Sequence, residues 1–118
     1  MVWIDLVSLS QLKEIDSESI DDVIILFKHS TRCSISDIAL SRIKNYPGSP
    51  TRLPKIYYLD IFRYREISNE IEKKYHVYHE SPQVLLIKNG DCFFDCSHLD
   101  ISWPLIKDQI EKEIGILS

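Results

Sequence analysis

The chain has 118 residues, 44% of them apolar and 27% charged, enough to bury one core and too balanced in composition to stay disordered. Fourteen Lys and Arg against eighteen Asp and Glu leave a net charge of −4, which opposes nonspecific attraction to nucleic acid or anionic membranes. The longest apolar run, Val23 to Phe27, is far short of the roughly 20 residues of a membrane span, and no signal-type segment follows Met1. A single cytoplasmic domain over residues 1–118 is expected, with neither nucleic acid nor membrane as partner.

In chain order, Ser8-Leu9-Ser10-Gln11 has capping-box spacing, with Ser8 as N-cap, Gln11 at N3 and Val7 and Leu12 at the staple positions. A helix from Leu9 to about Ser17 is therefore expected. Val23-Ile24-Ile25-Leu26-Phe27 is apolar at every position, the pattern of a strand covered on both faces in the middle of a parallel sheet. Ile35, Ile38, Ala39, Ile43 and Tyr46 then recur at helical spacing until Pro47-Gly48, which predicts a crossover helix. The segment from Tyr46 to Pro54 reads as an internal loop.

Lys55 to Ile61 reads as a second strand, and Ile67, Ile71 and Tyr75 mark one face of a helix from about Tyr64 to Tyr75. Strand, helix, strand implies a right-handed βαβ unit. Gln83–Lys88 and Cys92–Cys96 flank Asn89-Gly90, a hairpin signal. Ser102 is placed to cap a last helix from Trp103 to about Ile114, with Pro104 in its first turn.

Cys33 follows the loop Lys28-His29-Ser30-Thr31-Arg32 that leaves the central strand, and immediately precedes the crossover helix. Unpaired backbone N–H groups and the positive end of the macrodipole favour a thiolate there. Lys28, His29 and Arg32 add nearby positive charge, and open α/β sheets place their sites at the carboxyl ends of strands. The bland reading, a small buried hydrophobe, fits an arbitrary cysteine but not these polar flanks. Cys33-Ser34-Ile35-Ser36 has redox Cys-x-x-Cys spacing with serine at the second position, so a mixed disulfide at Cys33 needs an external thiol. Ser36 reads equally as a first-turn residue bonding its own backbone.

Cys92 and Cys96 are expected on one strand face about 13 Å apart, beyond bridging distance, and beside Phe93 and Phe94 they read as core. Either could resolve a distant disulfide only after rearrangement. No Cys-x-x-Cys or His-x-x-x-His pair occurs, and no metal site is expected. Of the four histidines only His29 is near the proposed thiol. Ser81-Pro82, taken alone, is an ordinary strand start.

Phe27-Lys28-His29-Ser30-Thr31-Arg32-Cys33-Ser34-Ile35-Ser36 followed by Ala39, then Ser68-Asn69, His79-Glu80-Ser81-Pro82-Gln83 and Lys88-Asn89-Gly90, resembles the signature of YtxJ-type monothiol bacilliredoxins of the thioredoxin-like superfamily. The resemblance spans nearly the whole chain. It implies an α/β thioredoxin-like fold, a central mixed β-sheet flanked by helices. It further implies a monothiol thiol–disulfide oxidoreductase, cytoplasmic, in which Cys33 takes bacillithiol from client mixed disulfides. Bacillithiol would be a co-substrate and no resident cofactor would be needed. Partners would be bacillithiolated client proteins and a low-molecular-weight thiol, with the chain itself a monomer.

Pro82 would be cis and face Cys33, with the Ser81 backbone pairing with substrate. Lys28, His29, Thr31, Arg32, Ser36, Ser81 and Pro82 are the candidates for substrate contact. Arg32 and Lys28 are assigned, from charge and position, to the anionic malate part of bacillithiol. The chain departs from the pattern in having Ser34 where family members often have proline. Compared with dithiol thioredoxins, its central strand lacks a buried carboxylate. Alternatives are a non-enzymatic thioredoxin-like binding module with inert Cys33, or an iron–sulfur site of monothiol-glutaredoxin type, which the missing glycine after Cys33 disfavours.

Overall fold

The structure, a computed structural model, describes residues 2–45 and 54–115. Its elements are β1 (Val2–Asp5), α1 (Ser10–Glu18), β2 (Ile24–His29), α2 (Ser34–Lys44), β3 (Lys55–Asp60), α3 (Arg65–Tyr75), β4 (Gln83–Lys88), β5 (Asp91–Ser97) and α4 (Trp103–Ile114), with a 3-10 turn at His98–Asp100. The strands form one sheet in the order β1-β3-β2-β4-β5. β3 lies parallel to both β1 and β2, whereas β4 is antiparallel to β2 and β5. The expectation of a central strand in a parallel sheet is therefore corrected on one side. After α3 the chain returns over residues 76–82 to the carboxyl end of β2, where Gln83 pairs with Lys28, so β4 runs in the opposite sense.

Strand side chains alternate, so the sheet divides the core in two. Ile24, Leu26, Tyr57, Leu59, Leu85 and Ile87 pack on one face with Leu12 and Ile15 of α1 and Ile67, Ile71 and Tyr75 of α3. Ile25, Phe27, Ile56, Val84 and Leu86 pack on the other with Ala39 and Ile43 of α2 and Trp103 and Ile106 of α4. β2 is buried at all six positions, and it runs two residues beyond the apolar stretch to include Lys28 and His29. That extension positions the site.

β1 is not anticipated by sequence periodicity, because four residues at a sheet edge with partial exposure carry too little pattern to read. The first helix begins at Ser10 and has no side-chain cap. Only half of the expected capping box forms: Gln11 Oε1 accepts from the Ser8 N–H at 3.0 Å, while Ser8 Oγ lies 3.0 Å from Ser10 Oγ. The last helix starts as expected, with Ser102 Oγ accepting from the Leu105 N–H. Tyr46 and Pro47-Gly48, the expected end of the crossover helix, and the loop reading up to Leu53 lie outside the described residues.

β5 corrects the reading of its two cysteines. Ile87 pairs with Cys92 but Leu86 pairs with Phe94, so Phe93 is an extra residue in a β-bulge. The bulge reverses the alternation: Cys92 packs toward the α1/α3 face, Cys96 toward the α2/α4 face. The two thiols are on opposite sides of the sheet.

The hairpin turn places Asn89 and Gly90 at φ 52° and 76°, the left-handed values that a two-residue hairpin turn demands. This turn is clamped to the end of α1. The fully buried Ser19 donates through Oγ to the Asp16 carbonyl at 2.7 Å and accepts from the Gly90 N–H at 2.8 Å. Its carbonyl accepts from the Asn89 N–H, also at 2.8 Å. Ser19→Ala strands the Gly90 N–H in a buried setting, and urea unfolding should show a loss of about 1–3 kcal/mol with the folded spectrum unchanged.

Candidate active site

Cys33 is the N-cap of α2, in extended conformation (φ −124°, ψ 119°), with its side chain half-buried. Its N–H donates to the Ser30 carbonyl at 3.3 Å, and its carbonyl accepts from the N–H groups of Ser36 and Asp37 at 3.1 and 3.3 Å. By helix geometry the N–H groups of Ser34 and Ile35 have no intrahelical acceptor. The sulfur thus stands at the start of an 11-residue helix, just past the carboxyl end of the central strand.

Ser36 holds this loop from inside. It is fully buried, its Oγ accepts from the Ser30 N–H at 3.0 Å, and it lies 2.7 Å from His29 Nδ1. The hydroxyl can accept from Ser30 and donate to Nδ1 together, an arrangement in which Nε2 carries the imidazole proton, toward Asp37 Oδ1 at 3.6 Å. His29 is itself 4% exposed, in tilted ring contact with Phe27 and with Tyr58. Burial pushes its pKa below the ordinary imidazole value, against the pull of Asp37 and Asp60. His29 is therefore neutral at neutral pH and adds no charge to the site. Neither His29 nor Ser36 is free to contact substrate; they form a strut, which corrects their assignment as binding residues.

Lys28 departs further from expectation. Alternation sends it to the opposite face of the sheet from His29, where it is 1% exposed. Its Nζ lies 2.6 Å from His79 Nδ1 and 2.9 Å from Oε1 of Gln83, its cross-strand partner. Desolvation lowers its pKa to about 8, against the opposing pull of Glu72 and Glu80. An ammonium enclosed in this way cannot hold a solvent-borne carboxylate, and its assignment to the malate group is withdrawn.

Thr31 and Arg32 are exposed at the mouth of the loop. The Arg32 guanidinium lies over the Phe62 ring at 4.6 Å, and Arg65 approaches the same ring at 5.9 Å. Phe62 is presented by a turn in which Asp60 Oδ1 accepts from the Phe62 and Arg63 N–H groups, while the Ile61 N–H donates to the His29 carbonyl. No salt bridge among the described residues engages Arg32, Arg63 or Arg65. Arg65 and Phe62 carried no sequence signal toward the site, because only the β3–α3 turn brings them near Arg32.

The Ser81–Pro82 bond is cis. Pro82 precedes Gln83, which pairs with Lys28, so the segment stands at the same end of the sheet as the Cys33 loop. Ser81 Oγ is buried without a partner, and no turn or loop hydrogen bond among the described residues uses the Ser81 backbone. Burial pushes the thiols of Cys92 and Cys96 up to about 11 and about 12. Among the described residues no three His, Cys, Asp or Glu side chains cluster as a metal site, and no helix is long and apolar enough to cross a membrane.

The family model described as monothiol bacilliredoxin BrxC matches residues 4–106. This chain belongs to the monothiol bacilliredoxin family. A solved structure described as an oxidoreductase with a thioredoxin fold is similar at 31% identity and a TM-score of 0.79, covering 91% of this chain and 92% of that one. A mutant thioredoxin from Halobacterium salinarum NRC-1 shares the fold at 12% identity and a TM-score of 0.69, covering 94% of this chain and 89% of its own. Thioredoxin from Fasciola hepatica does so at 13% and 0.68, with coverages of 92% and 97%. Bacilliredoxin membership and the thioredoxin fold together make this a thiol-redox protein.

Burial lowers the pKa values of both His29 and His79 in the folded bacilliredoxin. The unfolded chain then takes up protons near the ordinary value of 6.5 that the folded chain refuses, so stability is lost as pH falls through that region. Urea unfolding between pH 7.5 and 5 should show this decline. His29→Asn keeps an acceptor for Ser36 but cannot titrate, and should make the decline shallower.

Proposed function

We propose that Cys33 is the nucleophile of a monothiol exchange that removes bacillithiol from client proteins. The observation that carries this reading is a half-buried Cys33 at the N-cap of α2, set at the same sheet end as the cis Ser81–Pro82 segment. In the first step the Cys33 thiolate attacks the bacillithiol sulfur of a client mixed disulfide. The client leaves as its thiolate and a Cys33–bacillithiol disulfide forms. In the second, an external thiolate attacks the bacillithiol sulfur, carries bacillithiol away as a new disulfide and releases Cys33 as thiolate. Bacillithiol is a co-substrate in this scheme, and the reaction needs no resident cofactor.

The first-turn N–H groups of α2 are placed to receive negative charge on the sulfur through both steps. Position 36, where the second thiol of a Cys-x-x-Cys pair would stand, is a buried serine engaged with His29 and Ser30. Ser81 offers an unengaged backbone to the peptide that bears the disulfide, the pairing that the family resemblance implies. Arg32, with Arg65 behind the shared Phe62 ring, is the cation group for the carboxylates of bacillithiol, in place of Arg32 with Lys28. Clients in the cytoplasm and a monomeric chain fit this scheme.

Incubation with a bacillithiolated client followed by mass spectrometry should show the adduct moving to Cys33. Cys33→Ala should abolish transfer, while Cys92→Ala and Cys96→Ala leave it intact. Persistence of transfer in Cys33→Ala overturns the reading. In the same assay, Arg32→Ala combined with Arg65→Ala should slow transfer roughly tenfold, the loss of one or two charge-assisted contacts. Unchanged kinetics there would remove the arginines from the scheme and leave Cys33 in it.

A further inference from the structure

The face of the sheet opposite Cys33 contains a polar network that the exchange chemistry does not use. Ile24 and Leu26 point to that face, and an apolar residue at 28 would continue the core. The chain instead buries an ammonium there, which costs desolvation unless its hydrogen bonds are directed and complete. They are directed at one short segment. An ammonium only donates, so His79 Nδ1 accepts from Lys28 at 2.6 Å, while Gln83 Oε1 accepts at 2.9 Å. Gln83 passes the restraint on: its Nε2 donates to the Tyr78 carbonyl at 3.0 Å, and its Oε1 also receives the Glu80 N–H at 3.4 Å. From the α3 side, Glu72 Oε2 accepts from the His79 N–H at 2.6 Å, and Ser68 Oγ stands 3.5 Å from His79 Nδ1.

Residues 78–80 are thus tied down at three consecutive positions, and the next residue is Ser81, whose buried Oγ has no partner. The restraint ends next to the cis Ser81–Pro82 bond. We infer that Lys28 is a positioning residue for substrate recognition: through His79 and Gln83 it sets the height and orientation of the 78–81 segment against which a client peptide backbone pairs. It touches neither the substrate nor a reacting sulfur. The role rests on the exchange reading and adds its recognition element, a peptide backbone as opposed to the thiol alone.

Two substrates separate recognition from chemistry. One is a peptide carrying its single cysteine as a mixed disulfide with thionitrobenzoate; the other is the small aromatic disulfide 5,5'-dithiobis(2-nitrobenzoate), which has no backbone to pair. In single-turnover reactions of Lys28→Met, KM, here the peptide concentration at half-maximal rate, should rise roughly fivefold or more with the limiting rate within about twofold, and the single-turnover rate with the small disulfide should stay within about twofold. Amide hydrogen exchange at His79, Glu80 and Ser81 should accelerate in the same variant. His79→Leu, which leaves the Lys28–Gln83 pair inside the sheet, should shift KM in the same direction. His79→Asn, with an oxygen acceptor in place of Nδ1, should restore it.

Equal slowing of both substrates, or unchanged peptide KM and unchanged exchange at 79–81, overturns the assignment. If Lys28→Met does not fold, the His79→Leu and His79→Asn pair decides by the same criteria. Should the unaltered protein exchange with neither substrate, the exchange reading fails by itself, and hydrogen exchange at 79–81 still decides whether Lys28 positions the segment.

Discussion

Two polar side chains end the central strand, and because strand side chains alternate, they leave the sheet in opposite directions. His29 goes to the α2 side and Lys28 to the α3 side, and both are almost wholly buried. A buried polar group is tolerable only with hydrogen-bond partners of defined geometry, and that requirement fixes what surrounds each. His29 requires Ser36, and Ser36 in turn holds Ser30, which shapes the loop bearing Cys33. Lys28 requires His79 and Gln83, which hold the approach to cis-Pro82. The two halves of the candidate site are built outward from adjacent residues of one strand.

This arrangement separates support from contact. The charges that read as a positive cluster around Cys33 are not one cluster: Lys28 is on the far face, His29 is neutral, and only Arg32 remains at the surface. The exposed positive charge comes instead from Arg32 and Arg65 sharing the Phe62 ring, a grouping created by the turn after β3. In an acidic chain, this grouping of arginines, with no ion pair among the described residues, would suit the anionic co-substrate of the proposed exchange.

The fold was readable wherever periodicity had room to repeat. β2, β3, α3, the β4–β5 hairpin and α4 follow from apolar spacing, the Asn89-Gly90 turn and the Ser102 cap. β1 is too short to show a pattern, and the antiparallel placement of β4 depends on the end of the sheet to which the chain returns after α3, a tertiary choice. At the site, the position of Cys33 at a helix start was legible, because it depends only on chain order. The roles of Lys28 and Ser36 were not, since a charged or hydroxylated residue in a loop looks solvated until strand length and face are known. His79 and Gln83 gave a faint signal, a glutamine opening an otherwise apolar strand. Several residues that carry the family signature, Lys28, His29, Ser36, Ser68, His79 and Gln83, prove to be internal bracing.

The one-residue bulge in β5 separates Cys92 and Cys96 by the thickness of the sheet, and burial keeps each of them protonated. With the sheet intact, these sulfurs cannot store a pair of oxidising equivalents between them. Oxidising one of them in the folded molecule leaves the other out of reach. Two thiols carried on one strand are thereby kept from acting as a couple.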